Sequence, residues 1–185
     1  MELIPGGTAF TPDGSILYVA NSSSNTVSVL RTSDGLVIAT IPVGNSPDGM
    51  VVTPDGQFLY VANFQDGTIS VIRTSDNTVT DTIDLSQEQV RSLSVSPDGK
   101  RVYVTSPSAG GVYVIRTSDN AVVDFVTLPG IDVFAGALTP DGVFMYVTER
   151  GSNDVAYIRI ANDTFLTTIP VPDSPQGIVS SPDGN

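Results

Sequence analysis

The 185 residues contain no cysteine and no histidine. Disulfides, thiolate nucleophiles, haem attached through Cys-x-x-Cys-His and zinc centres built on Cys or His are therefore excluded. So are Ser-His-Asp and Cys-His nucleophile arrangements. Basic residues are scarce: 8 Lys and Arg stand against 20 Asp and Glu, for a net charge of −12. A surface of that sign repels phosphate backbones and anionic lipid, so nucleic acid is not an expected partner. No apolar run is long enough to span a bilayer, and no membrane insertion is expected. The opening Met1-Glu2-Leu3-Ile4-Pro5-Gly6-Gly7 has neither the basic start nor the apolar run of a signal peptide. Helical periodicity is missing too. Only Ser86-Gln87-Glu88-Gln89 reads as helix-like, as one turn within a loop. Neither standard glycine-rich phosphate loop occurs, nor an Asp-x-Asp-x-Asp-Gly calcium loop. No cofactor, metal site or catalytic residue is predicted from these absences.

What is present is repetition. Thr53-Pro54-Asp55-Gly56 leads into Phe58-Leu59-Tyr60-Val61-Ala62-Asn63, and the same order recurs from Thr11 to Asn21, from Ser96 to Ser106 and from Thr139 to Glu149. A fifth Ser181-Pro182-Asp183-Gly184 follows, and the steps between the prolines are 42, 43, 43 and 42 residues. A period of this size signals a repeat architecture. Within one repeat, Gly49–Thr53 reads as a first strand and Pro54-Asp55-Gly56 as a type I turn, with Pro at its second and Gly at its fourth position. Phe58–Ala62 reads as a second strand buried on both faces, Thr68–Arg73 as a third, and the alternating Thr78–Ile83 as a solvent-facing edge strand. Two-residue turns join the last two strands: Asp34-Gly35, Asp76-Asn77, Asp119-Asn120 and Asn162-Asp163.

Four-stranded meanders at this period are propeller blades. The fold class is all-β, a β-propeller of four-stranded antiparallel blades. Over residues 1–185 the blades are placed at about 6–43, 48–85, 91–128 and 134–171, with an orphan first strand of a fifth repeat at 176–182. Four blades and a strand suggest three arrangements: a four-bladed ring, two chains pairing through exposed blade edges, or part of a larger ring. The last is preferred, because Asn185 stands where a further second strand would begin.

Tyr18-Val19-Ala20-Asn21 and Tyr60-Val61-Ala62-Asn63, each after its Pro-Asp-Gly turn, resemble the YVTN family of β-propeller repeats across nearly the whole chain. Ser106 and Glu149 stand where that family has Asn, and Arg31, Arg73, Arg116 and Arg159 where it often has Asp. The resemblance implies a ring commonly of seven blades and an extracytoplasmic setting, secreted, periplasmic or at the cell surface, as in surface-layer proteins. Related propellers include lactonases and a streptogramin lyase, and the lyase is thought to need a histidine absent here.

Residues repeated in every blade serve every blade, so the turn aspartates Asp13, Asp55, Asp98, Asp141, Asp183, Asp34, Asp76 and Asp119 are assigned to turn chemistry. The opposite loops differ from blade to blade. Phe64, Arg91, Asp132, Phe134, Glu149 and Arg150 have no equivalents and are the candidate binding residues, near a channel mouth. Asp48, Glu88, Asp132 or Asp173 would supply any acid/base pair of carboxylates. The first expectation is a non-catalytic binding or scaffold module for a protein or surface polymer. The alternative is a lactonase- or lyase-like enzyme acting at the channel mouth.

Overall fold

A computed structural model describes residues 5–86 and 88–181. These described residues form sixteen strands and one turn of 3-10 helix at Ile160–Asn162. Each repeat forms one antiparallel four-stranded sheet whose strands follow chain order. The first holds β1 (Pro5–Phe10), β2 (Ile16–Asn21), β3 (Thr26–Arg31) and β4 (Val37–Pro42). The second holds β5 (Pro47–Val52), β6 (Phe58–Asn63), β7 (Thr68–Arg73) and β8 (Thr78–Asp84). The third holds β9 (Leu93–Val95), β10 (Arg101–Ser106), β11 (Gly111–Arg116) and β12 (Ala121–Thr127). The fourth holds β13 (Val133–Leu138), β14 (Phe144–Glu149), β15 (Asp154–Arg159) and β16 (Thr164–Pro170). These are the blades of a β-propeller.

The chain divides into two compact units, Met1–Val90 and Arg91–Asn185, with two blades in each. In the first, Tyr18, Val27, Val29, Val52, Leu59 and Ile72 build the core. In the second, Tyr103, Val112, Val114, Val133, Met145 and Ile158 build it. The second and third strands of each blade supply most of these residues, since they lie inside the sheet with neighbours on both edges. Each fully buried aliphatic side chain contributes roughly 1.5–3 kcal/mol. The fourth strands are the solvent edge, and β8 is exposed at every position but Ile83 and left polar by Thr78, Thr80, Asp81, Thr82 and Asp84. Every blade carries a bulge between its third and fourth strands at an equivalent place: Val29/Leu30, Val71/Ile72, Val114/Ile115 and Tyr157/Ile158. Bulges increase local twist.

The turn chemistry forms as expected. The Gly56 N–H donates to Thr53 O at 2.8 Å and closes the turn. Thr53 Oγ1 donates to Asp55 Oδ1 at 2.6 Å, and that carboxylate also accepts the Gln57 N–H at 3.0 Å. The same set recurs around Asp13, Asp98 and Asp141. Asp183 lies outside the described residues.

Three expectations change. The connections from third to fourth strand are longer than two residues: the Gly35 N–H reaches Arg31 O at 2.9 Å, closing a wider loop. The second residue of each predicted pair still takes a positive φ, 71° at Gly35, 56° at Asn77 and Asn120 and 47° at Asp163. The third blade's first strand is only three residues long. There the Thr105 hydroxyl, in place of Ala20 and Ala62, accepts the Ser92 N–H at 3.0 Å, while the Thr105 N–H donates to Ser92 O at 2.9 Å. Residues 171–181 form no strand, and Val179 is 89% exposed. Strand geometry needs a paired neighbour, and no described residue pairs with Gly177–Ser180. The segment still lies on the fourth blade, where Thr148 Oγ1 donates to Gln176 O at 2.9 Å. In the same way Thr105 Oγ1 donates to Phe134 O, at 3.0 Å, where β13 starts. The single turn expected at Ser86 does form, its Glu88 N–H donating to Leu85 O at 3.3 Å; Gln87 is not described.

Candidate functional site

Each blade has a turn end, with the Pro-Asp-Gly turns, and a loop end, where second strand passes to third and one blade to the next. At the loop end the last residue of the second strand faces the first residue of the third. In the first blade Asn21 Nδ2 donates to Thr26 Oγ1 at 3.1 Å and to Ser28 Oγ at 2.8 Å. In the second Asn63 Nδ2 donates to Thr68 Oγ1 at 2.9 Å and to Ser70 Oγ at 3.0 Å. These hydrogen bonds join neighbouring strands through neutral groups. In the third blade Ser106 opposes Gly111, and its hydroxyl accepts the Ala109 N–H at 3.2 Å.

The fourth blade substitutes two acids. Glu149 opposes Asp154 in register. Glu149 is wholly buried. Its Oε1 accepts the Gly130 N–H at 2.7 Å. Its Oε2 and Asp154 Oδ1 are buried and receive no donor from the chain. Asp154 stands near enough to act on the Glu149 carboxyl. Burial pushes Glu149 up to about 7; the Gly130 N–H opposes this and the Asp154 carboxylate adds to it. Gly130 has no room for a side chain, since a Cβ there would lie 2.3 Å from the Glu149 carboxyl carbon. Gly44 stands over Asn63 in the same way in the second blade, at 2.6 Å.

Around Glu149 the variable loops converge. The Arg91 and Arg150 guanidinium carbons lie 4.4 Å and 4.8 Å from the centroid of the Phe134 ring. Asp132, at a φ of 61°, receives Arg150 Nε and Nη2 on Oδ2, both at 2.6 Å. The Arg150 and Gly151 N–H groups donate to Asp132 O and Ile131 O at 3.1 and 2.9 Å. The Ile131 N–H donates to Ser152 Oγ at 2.6 Å. Four of the six predicted residues, Arg91, Asp132, Phe134 and Arg150, are thus one cluster, with Glu149 next in the chain to Arg150. Phe134 is half-buried beneath the arginines rather than lost in the core. Phe64 belongs to the first unit and its N–H donates to Ser46 O at 3.0 Å. Near it, a cavity of about 720 Å³ is lined by polar groups including Asp66, Thr68, Ser70 and Asp84.

Sequence reasoning missed Asp154 and Gly130. The signal for Asp154 was its place opposite Glu149, where the first two repeats have Thr26 and Thr68. The acid pair that forms is Glu149 with Asp154; Asp132, proposed for such a pair, is bound to Arg150 instead. At the turn end, Asp163 was also missed. Arg101 Nη1 binds Asp163 Oδ2 at 2.5 Å and the Tyr103 hydroxyl donates to Oδ1 at 3.3 Å, beside a cavity of about 410 Å³. Burial raises Asp163, with Arg101 opposing it, and pushes Tyr103 up to about 12, so neither group is an activated nucleophile. Among the described residues no three acidic side chains gather to hold a metal ion. No helix there is long and apolar enough to cross a membrane.

The sequence matches the family model described as the SMP-30/gluconolactonase/LRE-like region over residues 2–108. No curated protein matches the chain. Among solved structures, hydrazine synthase from Kuenenia stuttgartiensis is similar over 100% of this chain and 55% of its own, at a TM-score of 0.91 and 26% identity. A functionally unknown protein from Desulfotomaculum acetoxidans is similar over 100% of this chain and 62% of its own, at a TM-score of 0.88 and 22% identity. The chain therefore spans less than two thirds of either neighbour. The matched family stretch holds Arg91 but ends before Glu149, so the acid pair rests on geometry alone.

Proposed function

Because the chain belongs to the SMP-30/gluconolactonase/LRE-like family, we propose that it is a lactonase-type hydrolase working at the loop end of the fourth blade. The observation that carries this is the buried Glu149 carboxyl opposite Asp154, which burial pushes up to about 7. A general base is most effective when its pKa lies near the working pH. In its carboxylate form Glu149 takes a proton from a water molecule as the water oxygen adds to the lactone carbonyl. The ring C–O bond then breaks, and the proton passes from Glu149 to the departing alkoxide. The product is the open hydroxy acid, and Glu149 is again a carboxylate. Asp154 is a positioning residue: burial raises Glu149 to about 7, and the neighbouring Asp154 adds to that shift. Gly130 lies directly against the Glu149 carboxyl, so turnover requires its loop to lift and break the Gly130 hydrogen bond.

The family also favours an enzyme over the non-catalytic module that the sequence suggests first. The extracytoplasmic, surface-protein setting rests on the Tyr-Val-Ala-Asn resemblance.

The test is ring opening of D-glucono-1,5-lactone, followed by acid release and corrected for spontaneous hydrolysis. Wild-type protein is expected to accelerate it, with kcat/KM rising through about pH 7. Glu149→Gln is expected to lose roughly 10²–10⁴-fold. Asp154→Asn is expected to keep turnover but move the pH midpoint down. Wild-type protein that opens no lactone, or a Glu149→Gln variant as active as wild type, would refute this assignment.

A further inference from the structure

We propose that the first unit holds a groove that binds a neutral polyhydroxylated ligand, a sugar or sugar alcohol, at the loop end of the second blade. This goes beyond the hydrolysis assigned to Glu149, which lies in the other unit. The groove is the cavity of about 720 Å³, a size usual for small-molecule sites. Part of its wall is the paired strands β7 and β8, where Thr68 faces Asp84 and Ser70 faces Thr82. Residues two apart on a strand share a face, so these four form one polar surface. Asp66 joins it from the loop, and Val43 and Val79 add aliphatic surface.

The hydroxyl groups of that surface carry hydrogens that the chain does not use. Thr68 Oγ1 and Ser70 Oγ each accept from Asn63 Nδ2, at 2.9 and 3.0 Å. Among the described residues neither finds an acceptor for its own O–H, although Ser70 is only 2% exposed. Buried polar groups ordinarily have partners. The first blade shows how the gap arises. There Ser24 Oγ stands 3.0 Å from Thr26 Oγ1, the counterpart of Thr68. In the second blade Asp66 replaces Ser24 and turns to Asn45, accepting its backbone N–H and its Nδ2, both at 2.6 Å. Asp84 stands where the first blade has Pro42. Its Oδ1 accepts the Ser86 N–H at 2.8 Å, and its other oxygen has no donor among the described residues. No Lys or Arg lines the cavity. Two carboxylates without a cation repel carboxylate and phosphate ligands. An ammonium group has donors only and would leave the Thr68 and Ser70 hydrogens unmatched. A ligand hydroxyl does both, donating to Asp84 and accepting from Thr68 or Ser70. The C–H face of a sugar ring has Val43 and Val79 to pack on.

The test is amide NMR of the full chain, titrated with D-glucitol, maltose and cellobiose, and separately with putrescine and with calcium chloride. At least one of the three polyols is expected to shift the Thr68, Ser70, Thr82 and Asp84 amides and to saturate, with a dissociation constant on the order of 1 mM. Asp84→Ala is expected to weaken that binding at least tenfold, and Thr82→Val roughly threefold, the effect of one hydrogen bond. Both residues are exposed, and melting curves check that both variants fold. Thr40→Val makes the Thr82 change at the equivalent place in the first blade and should leave binding as it is. So should Glu149→Gln, whatever it does to lactone turnover, so the two assignments fail separately. Silence of these amides with all three polyols would refute the groove. Putrescine or calcium moving them where no polyol does would overturn it in favour of a cation site. A folded Asp84→Ala variant that binds the polyol as tightly as wild type would place the ligand elsewhere.

Discussion

Strand β14 runs between two carboxyl groups held in opposite ways. At its start, the exposed Asp141 accepts the Thr139 hydroxyl first and the Val143 N–H second, which hold it below the ordinary carboxylate range. At its end, burial drives Glu149 up to about 7. The first arrangement is copied in every described blade and the second occurs once. A depressed carboxylate adds stability above its unfolded value of 3.8, lost as acid carries pH down through its folded pKa. A raised one adds stability below its unfolded value of 4.5, lost as pH climbs through about 7. The turn end is therefore weakest in acid and the Glu149 end weakest near neutrality. Repetition serves the fold, and the single departure gives up stability for an ionisable group, the pattern of a working site.

The largest effect should come from closing the gap over Glu149. Gly130→Ala puts a methyl group 2.3 Å from the carboxyl carbon, a position it cannot share. Thermal unfolding should show a loss of about 3 kcal/mol. Gly177→Ala, with nothing within 4 Å, should be neutral. Equal effects would mean that the Gly130 loop does not bear on the acid pair.

Next in size is conversion of the fourth blade to the pattern of the second. Glu149→Asn with Asp154→Thr replaces the acid pair by an amide and a hydroxyl, as at Asn63 and Thr68. Stability at pH 7 should rise by on the order of 2 kcal/mol, because the buried carboxylate no longer has to ionise. The decline in stability between pH 4.5 and about 7 should flatten, and the lactone turnover proposed for Glu149 should be absent from this variant. A denaturant titration across that range measures it, and an unchanged slope would assign the pH dependence elsewhere.

The fold was legible because its signals are local and repeated. Pro-Asp-Gly fixes a turn, Tyr-Val-Ala-Asn fills a buried strand, and each occurs several times in register. The exceptions depend on contacts between blades. Asp163 leaves its own turn for Arg101, some sixty positions earlier, which no turn pattern reveals. The site was half legible. Comparing repeats singled out Arg91, Asp132, Phe134, Glu149 and Arg150 as departures, and the structure brings Arg91, Asp132, Phe134 and Arg150 to one place, with Glu149 next in the chain to Arg150. Phe64 departs equally and lies in the other unit, since a departure records difference and not position. Asp154 went unnoticed because it is unremarkable alone; its meaning comes from the cross-strand pairing with Glu149.

The smallest effect belongs to the turn end. Thr139→Val removes the hydroxyl that Asp141 accepts and leaves the Val143 N–H in place. Asp141 should then titrate closer to its ordinary value, so the loss of stability in acid begins at a slightly higher pH. Because the group is exposed, water replaces most of what the hydroxyl gave. The melting temperature at pH 7 should move by no more than ~2 °C. The same pH series on Glu149→Gln should leave this acid limb where it is, since the two carboxyl groups sit at opposite ends of β14. If the acid limb moved with Glu149→Gln and not with Thr139→Val, the assignment of the acid limb to the turn and the neutral limb to the acid pair would be reversed.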